Sequence, residues 1–267
     1  MLKKMLKYDL KAIFKFWWIG AVVCLMGGVL DGFCQRELYA ANSENFLLQN
    51  AASLVQGLIY TSYVIFILLT LVLFFIRFYK NFFTDEGYLT FTLPVARKDL
   101  LNSKLLSGFI AMISAVCVLM TAIFTSALIY TFDMPTEDIP TVEQELFQPD
   151  LIYQLIYWVE GVTIAVLVIG LTVIFMGLCI TFGSTIVKKG KLFASIGIFY
   201  GASSTVVTLL EFGLFFSVLQ LLDVDQPTLG ELPIALMLLA IIFFIAMLCA
   251  LFYTLQYRLL ERKLNLS

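Results

Sequence analysis

Six runs of apolar residues, each about as long as a helix needs to cross a hydrocarbon core, dominate this chain and leave little else to fold. They lie at Phe16–Phe33, Leu54–Ile76, Leu105–Phe132, Val159–Val187, Leu192–Leu210 and Ile234–Tyr257. In lipid every backbone N–H and C=O must be satisfied inside its own segment, so such runs are expected to be helices. The polar stretches between them are too short to bury a separate soluble core. Charged residues make up 13% of the chain, about half the roughly 25% of an ordinary soluble domain. The expected fold is an all-α integral membrane bundle of six spans, forming one domain over residues 1–267.

Charge placement gives the expected direction of the spans. Basic residues precede the first run (Lys3, Lys4, Lys7, Lys11, Lys15) and follow the second (Arg77, Lys80, Arg97, Lys98, Lys104). They recur between the fourth and fifth (Lys188, Lys189, Lys191) and after the sixth (Arg258, Arg262, Lys263). Six crossings put every lysine and arginine except Arg36 on one side, and the positive-inside rule makes that side cytoplasmic. Both termini then lie in the cytoplasm. The opposite loops carry Asp133, Glu137, Asp138, Glu143, Glu145 and Asp150, then Asp223, Asp225 and Glu231. An odd number of spans would scatter the basic residues over both faces.

Several classes of chemistry fall away on composition. The chain has no histidine, which removes the commonest general base and the commonest transition-metal ligand. Cys24, Cys34, Cys117, Cys179 and Cys249 form no CxxC pair, so neither a zinc site nor a disulfide framework is indicated. No metal site is expected, nor any catalytic residue. There is no GxxxxGK[ST] phosphate loop; Lys188-Lys-Gly-Lys191 lacks both its leading glycine and its hydroxyl. The first run is too long, and too poor in a small-residue cleavage pattern, to be expected as a cleaved signal peptide.

At the N-terminus, Leu2, Met5, Leu6, Ile13 and Trp17 fall at helical spacing, while Lys3, Lys7, Lys11 and Lys15 recur every fourth residue. Residues 1–15 therefore read as an amphipathic helix on the anionic inner leaflet, after which the chain turns into the first span. The alternative is that the lysines are topology signals alone. The fourth run is long for one crossing, and its approach, Leu151–Trp158, is expected along the outer interface at the end of an acidic extracellular segment, 133–158. Residues Phe212–Leu222 stay apolar beyond the fifth run, which suggests a re-entrant hairpin turning near Gly213 before the last span; one long tilted helix is the alternative.

The cytoplasmic loop 77–104 is the most informative segment. Pro94 breaks any helix near Leu93, and Tyr88–Leu93 is an apolar run set among charges. Such a run suits docking into a partner's groove or, alternatively, contact with lipid headgroups. The pattern Glu86-Gly87-x-Leu89, Leu93-Pro94-Val95, Arg97, Leu100-Leu101 and Lys104-Leu105 resembles the first cytoplasmic loop of type-2 ABC transporter permeases. Tyr88 stands where that family usually has Thr, and Ala96 where it has Ser.

The resemblance implies a subunit that pairs with a second permease, identical or paralogous, and with cytosolic ABC ATPases holding ATP and magnesium. It makes Phe82, Phe83, Asp85, Glu86, Gly87 and Tyr88 the ATPase-contacting residues of a coupling helix. It also implies residence in the bacterial inner membrane and export as the direction of transport. Membrane lipids are expected as further partners, and nucleic acid is not.

Two acids at membrane depth, Glu160 and Glu211, are singled out because such residues usually face a bundle interior or a water-filled path. Glu211 extends a stripe of Gly197, Gly201, Ser204 and Thr208 at three- or four-residue spacing. That stripe reads either as a translocation path or dimer seam, or as ordinary helix packing. The competing functions are a self-sufficient channel or ion-coupled carrier, which would act without an ATPase, and a non-transporting membrane scaffold.

Overall fold

The computed structural model describes residues 2–40, 46–84, 96–131, 151–186, 190–205 and 231–264. They form helices α1 (Leu2–Ala40), α2 (Phe46–Phe83), α3 (Arg97–Thr131), α4 (Leu151–Ile186), α5 (residues 191–205) and α6 (Glu231–Leu264). No strand occurs among the described residues. Five of the helices are long and apolar enough to cross a membrane, over Lys3–Arg36, Gln49–Phe83, Lys98–Thr131, Ile152–Ile186 and Ile234–Glu261. The fifth apolar run is described only as far as residue 205, and the hairpin expected near Gly213 lies outside the described residues.

The surface departs from that of a water-soluble protein in the number of large apolar side chains it carries. Asp9, Asp31, Thr70, Ser103, Lys104, Ser126, Thr181, Ser195 and Gln256 are buried, whereas Trp18, Leu58, Phe124, Trp158, Phe243 and Phe244 are more than half exposed. A hydrocarbon solvent makes that distribution favourable, because lipid accepts the apolar side chains and cannot hydrogen-bond the polar ones. The chain is a multi-pass, all-helical membrane protein.

The described residues divide into two compact units, one of α1, α2 as far as Phe78 and α3, the other of the last turn of α2 with α4, α5 and α6. In the first, α1 and α3 are parallel neighbours whose backbones meet closely where glycine leaves room. A Cβ on Gly28 would stand 2.4 Å from the carbonyl oxygen of Ala122, and one on Gly32 would stand 2.8 Å from that of Ser126. Packing in lipid gains little from the hydrophobic effect, so this close approach of small residues is what joins the pair. Helix α2 runs antiparallel to α1 and reaches it through large side chains. Trp17 packs against Phe66, with ring centroids 5.3 Å apart, and its indole Nε1 donates to the Thr70 hydroxyl at 3.1 Å.

In the second unit α4 and α5 are antiparallel, joined through Gly190, whose φ of 75° favours glycine. A Cβ on Gly183 would lie 2.7 Å from the Ser195 backbone. The Ser195 hydroxyl donates to the carbonyls of Lys191 (2.8 Å) and Ile180 (3.2 Å). Phe175 bridges to Phe199 of α5 and Phe252 of α6, at 5.9 and 5.7 Å between centroids.

One expectation changes. Helix α1 is continuous over 39 residues, with no turn between an interfacial segment and a span. Asp9 and Ile13 are almost wholly buried, while Lys3, Lys4, Lys7, Lys11 and Lys15 are exposed. The amphipathic pattern thus has a protein-facing stripe, and that stripe continues the packing face of Trp17, Ala21 and Cys24. Leu151–Trp158, similarly, is the uninterrupted first part of α4.

Candidate functional site

The strongest polar constellation in the first unit sits at the flanks of the segment expected to carry coupling. Asp9, in the third turn of α1, is 1% exposed. Lys104 of α3 donates to both of its carboxylate oxygens, at 2.7 and 2.6 Å, and Arg77 of α2 donates through Nε at 3.2 Å. The short Lys104 distances are those of charge-assisted bonds. Lys104 is buried and Arg77 is partly open, so the Asp9–Lys104 bond lies in the drier surroundings.

Sequence and local structure account for this meeting. On α1, Asp9, Ile13, Trp17 and Ala21 repeat every four residues and so share a face. On α3, Leu100, Leu101, Ser103, Lys104, Leu105 and Ser107 are buried over the first two to three turns. The start of α3 is closed by backbone bonds from Asp99 N and Leu100 N to the Ala96 carbonyl, just after Pro94. Arg77 and Lys104 are the last and first cations bordering residues 78–103, and one carboxylate holds both. The cluster thus joins α1, α2 and α3 through side chains of one charged group. No proton chemistry is needed for such a role, and among the described residues no group of three or more His, Cys, Asp or Glu could hold a metal ion.

Of the residues named from sequence, Phe82 is buried and Phe83 half-buried, their rings 6.2 Å apart, with Tyr79 6.0 Å from Phe83. Asp85, Glu86, Gly87 and Tyr88 lie outside the described residues, as do Thr208 and Glu211. Gly197 and Gly201 are exposed, and a Cβ on either would meet nothing within 4 Å. Ser204, also exposed, donates to the Gly201 carbonyl at 2.9 Å. Among the described residues, then, the stripe is an open face. Glu160 is 9% exposed, and its Oε2 has no hydrogen-bond partner.

The buried polar residues that the sequence reading does not single out include Asp9, Asp31 and Gln256. Asp9 is the one acid among the five N-terminal lysines, and Asp31 the one acid inside the run Phe16–Phe33. Each is a signal visible in sequence. No family model, curated protein or solved structure matches the chain.

Proposed function

We propose that this chain is the membrane-spanning permease subunit of an ATP-driven ABC exporter, energised by a separate cytosolic ATPase. The observation that carries the reading is the Asp9–Arg77–Lys104 cluster, which ties both borders of the loop resembling an ABC coupling loop to one span. An ATPase pressing on residues 82–88 would move α1, α2 and α3 together at their cytoplasmic ends. Supporting it further, consecutive helices run antiparallel within each unit, as six alternating crossings with both termini in the cytoplasm require.

The open face at Gly197, Gly201 and Ser204 suits a seam with a second permease, and Thr208 and Glu211 follow them in the sequence at the same spacing. The proposed setting is a bacterial inner membrane, with an outer re-entrant hairpin before the last span. A self-sufficient ion-coupled carrier is the second reading, favoured by the buried carboxylates Asp31 and Glu160.

Gentle detergent extraction of the tagged chain followed by mass spectrometry tests the proposal. A phosphate-loop protein in about equal amount is the expected companion. Glu86→Lys is then expected to uncouple ATP hydrolysis from transport while leaving the complex assembled. A chain that emerges alone, and yields no ATPase on crosslinking at Asp85 or Tyr88, would turn the assignment toward the carrier.

A further inference from the structure

Asp31 lies where α1, α2 and α3 meet, at the end of the first unit opposite Asp9. It is 4% exposed, and its Oδ2 accepts from Gln35 Nε2 and Ser126 Oγ, both at 2.9 Å. Both donors are neutral. Oδ1 is buried and has no donor within reach among the described residues. The same is true of the Tyr63 hydroxyl, also buried and also without a hydrogen-bond partner. The two belong to one neighbourhood. A Cβ on Gly27, one turn before Asp31, would lie 3.8 Å from that oxygen.

Two orphaned buried oxygens in one place are unusual, because an unmet polar atom away from water typically costs about 1–3 kcal/mol. A buried carboxylate whose donors are all neutral is costlier still unless something balances its charge. No basic side chain among the described residues forms an ion pair with Asp31. Arg36, on the same helix, lies five residues on, about 140° around the axis from it. The remaining titratable groups of this neighbourhood are Cys34, Tyr60, Tyr63 and Cys24, and none of these supplies a positive charge.

The available ligand atoms are all oxygen: the Asp31 carboxylate, the Tyr63 phenol, the Ser126 hydroxyl and, along the glycine-opened seam, the carbonyl of Ser126, which a Cβ on Gly32 would approach to 2.8 Å. Oxygen-only sites suit hard cations. One carboxylate matches one positive charge, and a divalent ion would leave an excess charge in apolar surroundings. We propose that Asp31, Tyr63 and Ser126 form a binding site for a small monovalent cation of the alkali class, with Asp31 Oδ1 as the charged ligand and the Tyr63 hydroxyl as a neutral one.

The test is thermal unfolding of the purified full-length chain, with whatever subunits accompany it, in choline chloride against lithium, sodium or potassium chloride at equal ionic strength. A ligand that binds only the folded state raises Tm saturably. One alkali chloride is expected to do so by several degrees, and Asp31→Asn to abolish the response, since asparagine still accepts from Gln35 and Ser126 but carries no charge. Equal Tm in all four salts would overturn the proposal, as would an Asp31→Asn protein that responds like the parent. A Tm that depends on pH but on no alkali ion would make the occupant a proton and equally defeat it. If Asp31→Asn does not fold, Tyr63→Phe carries the test. Removing that hydroxyl alone is expected to raise the half-saturating salt concentration about tenfold, a loss of one neutral ligand, and an unchanged midpoint refutes the assignment.

Discussion

Lys104 Nζ lies 2.7 and 2.6 Å from the two carboxylate oxygens of Asp9, with both side chains buried. Removing one member of a buried ion pair leaves its partner desolvated and uncompensated, at about 3–5 kcal/mol. Asp9→Asn should therefore lower the thermal stability of the purified protein severely. Arg77→Gln should cost much less, because the Arg77 side chain is 30% exposed and water screens it. Thermal scans of the two variants check the order, and equal losses would contradict the burial argument.

Gly28 and Gly197 make opposite predictions from the same substitution. Alanine at Gly28 drives a Cβ to 2.4 Å from the Ala122 carbonyl, and the helices must part. The cost is expected at about 1–3 kcal/mol, as for other overpacked sites. Alanine at Gly197 meets nothing and should stabilise the helix by roughly 0.5–1 kcal/mol. A bulkier probe, Gly201→Leu, should leave the folded chain intact and reduce recovery of a second permease with a tagged copy. Undiminished recovery would move the seam elsewhere.

Trp17 donates its indole N–H to Thr70, whose hydroxyl in turn donates to the Phe66 carbonyl. Thr70→Val removes the acceptor and strands a buried donor, so a loss of about 1–3 kcal/mol is expected. Trp17→Phe removes the donor instead and leaves Thr70 satisfied through Phe66; its cost should come mainly from lost volume. Combining the two in a double-mutant cycle isolates the hydrogen bond, and a coupling energy near zero would show that the contact contributes no stability.

Gln256 is fully buried in α6, yet neither atom of its amide has a hydrogen-bond partner. Leucine has similar bulk and nothing to satisfy. Gln256→Leu is accordingly expected to raise stability by roughly 1–3 kcal/mol, the range for an unmet buried polar group. A destabilised variant would mean that the amide is satisfied in the assembled protein.

The spans were legible because twenty apolar residues in a row have few destinations, and the five described long helices follow those runs. Their lengths were less so. Leu2–Ala40 extends well beyond Phe16–Phe33 because helical hydrogen bonding does not stop at the lipid boundary, and Ile13 and Trp17 share one packing stripe across it. The polar partners were not legible. Nothing in the local sequence says that Asp9 meets Lys104 or that Asp31 meets Ser126, since each pair is 95 residues apart and is brought together only by packing. Asp31 itself stands out as the single acid of its run, the same signal that marks Glu160 and Glu211. Of the residues that the resemblance makes ATPase contacts, only Phe82 and Phe83 fall where their surroundings are described.

The shared offset of 95 has a mechanical consequence. Asp9 and Asp31 are twenty-two residues apart on α1, as Lys104 and Ser126 are on α3, which is about 33 Å along each axis. Two latches in the same register, one hydrocarbon thickness apart, act like a rod pinned at both ends. Sliding α1 past α3 by one turn would offer Asp9 the neighbourhood of Leu100 or Gly108 in place of an ammonium, and Asp31 that of Ala122 or Tyr130 in place of a hydroxyl. Telescoping is thus suppressed while tilting is not, so whatever moves this half of the molecule moves the two helices as one beam.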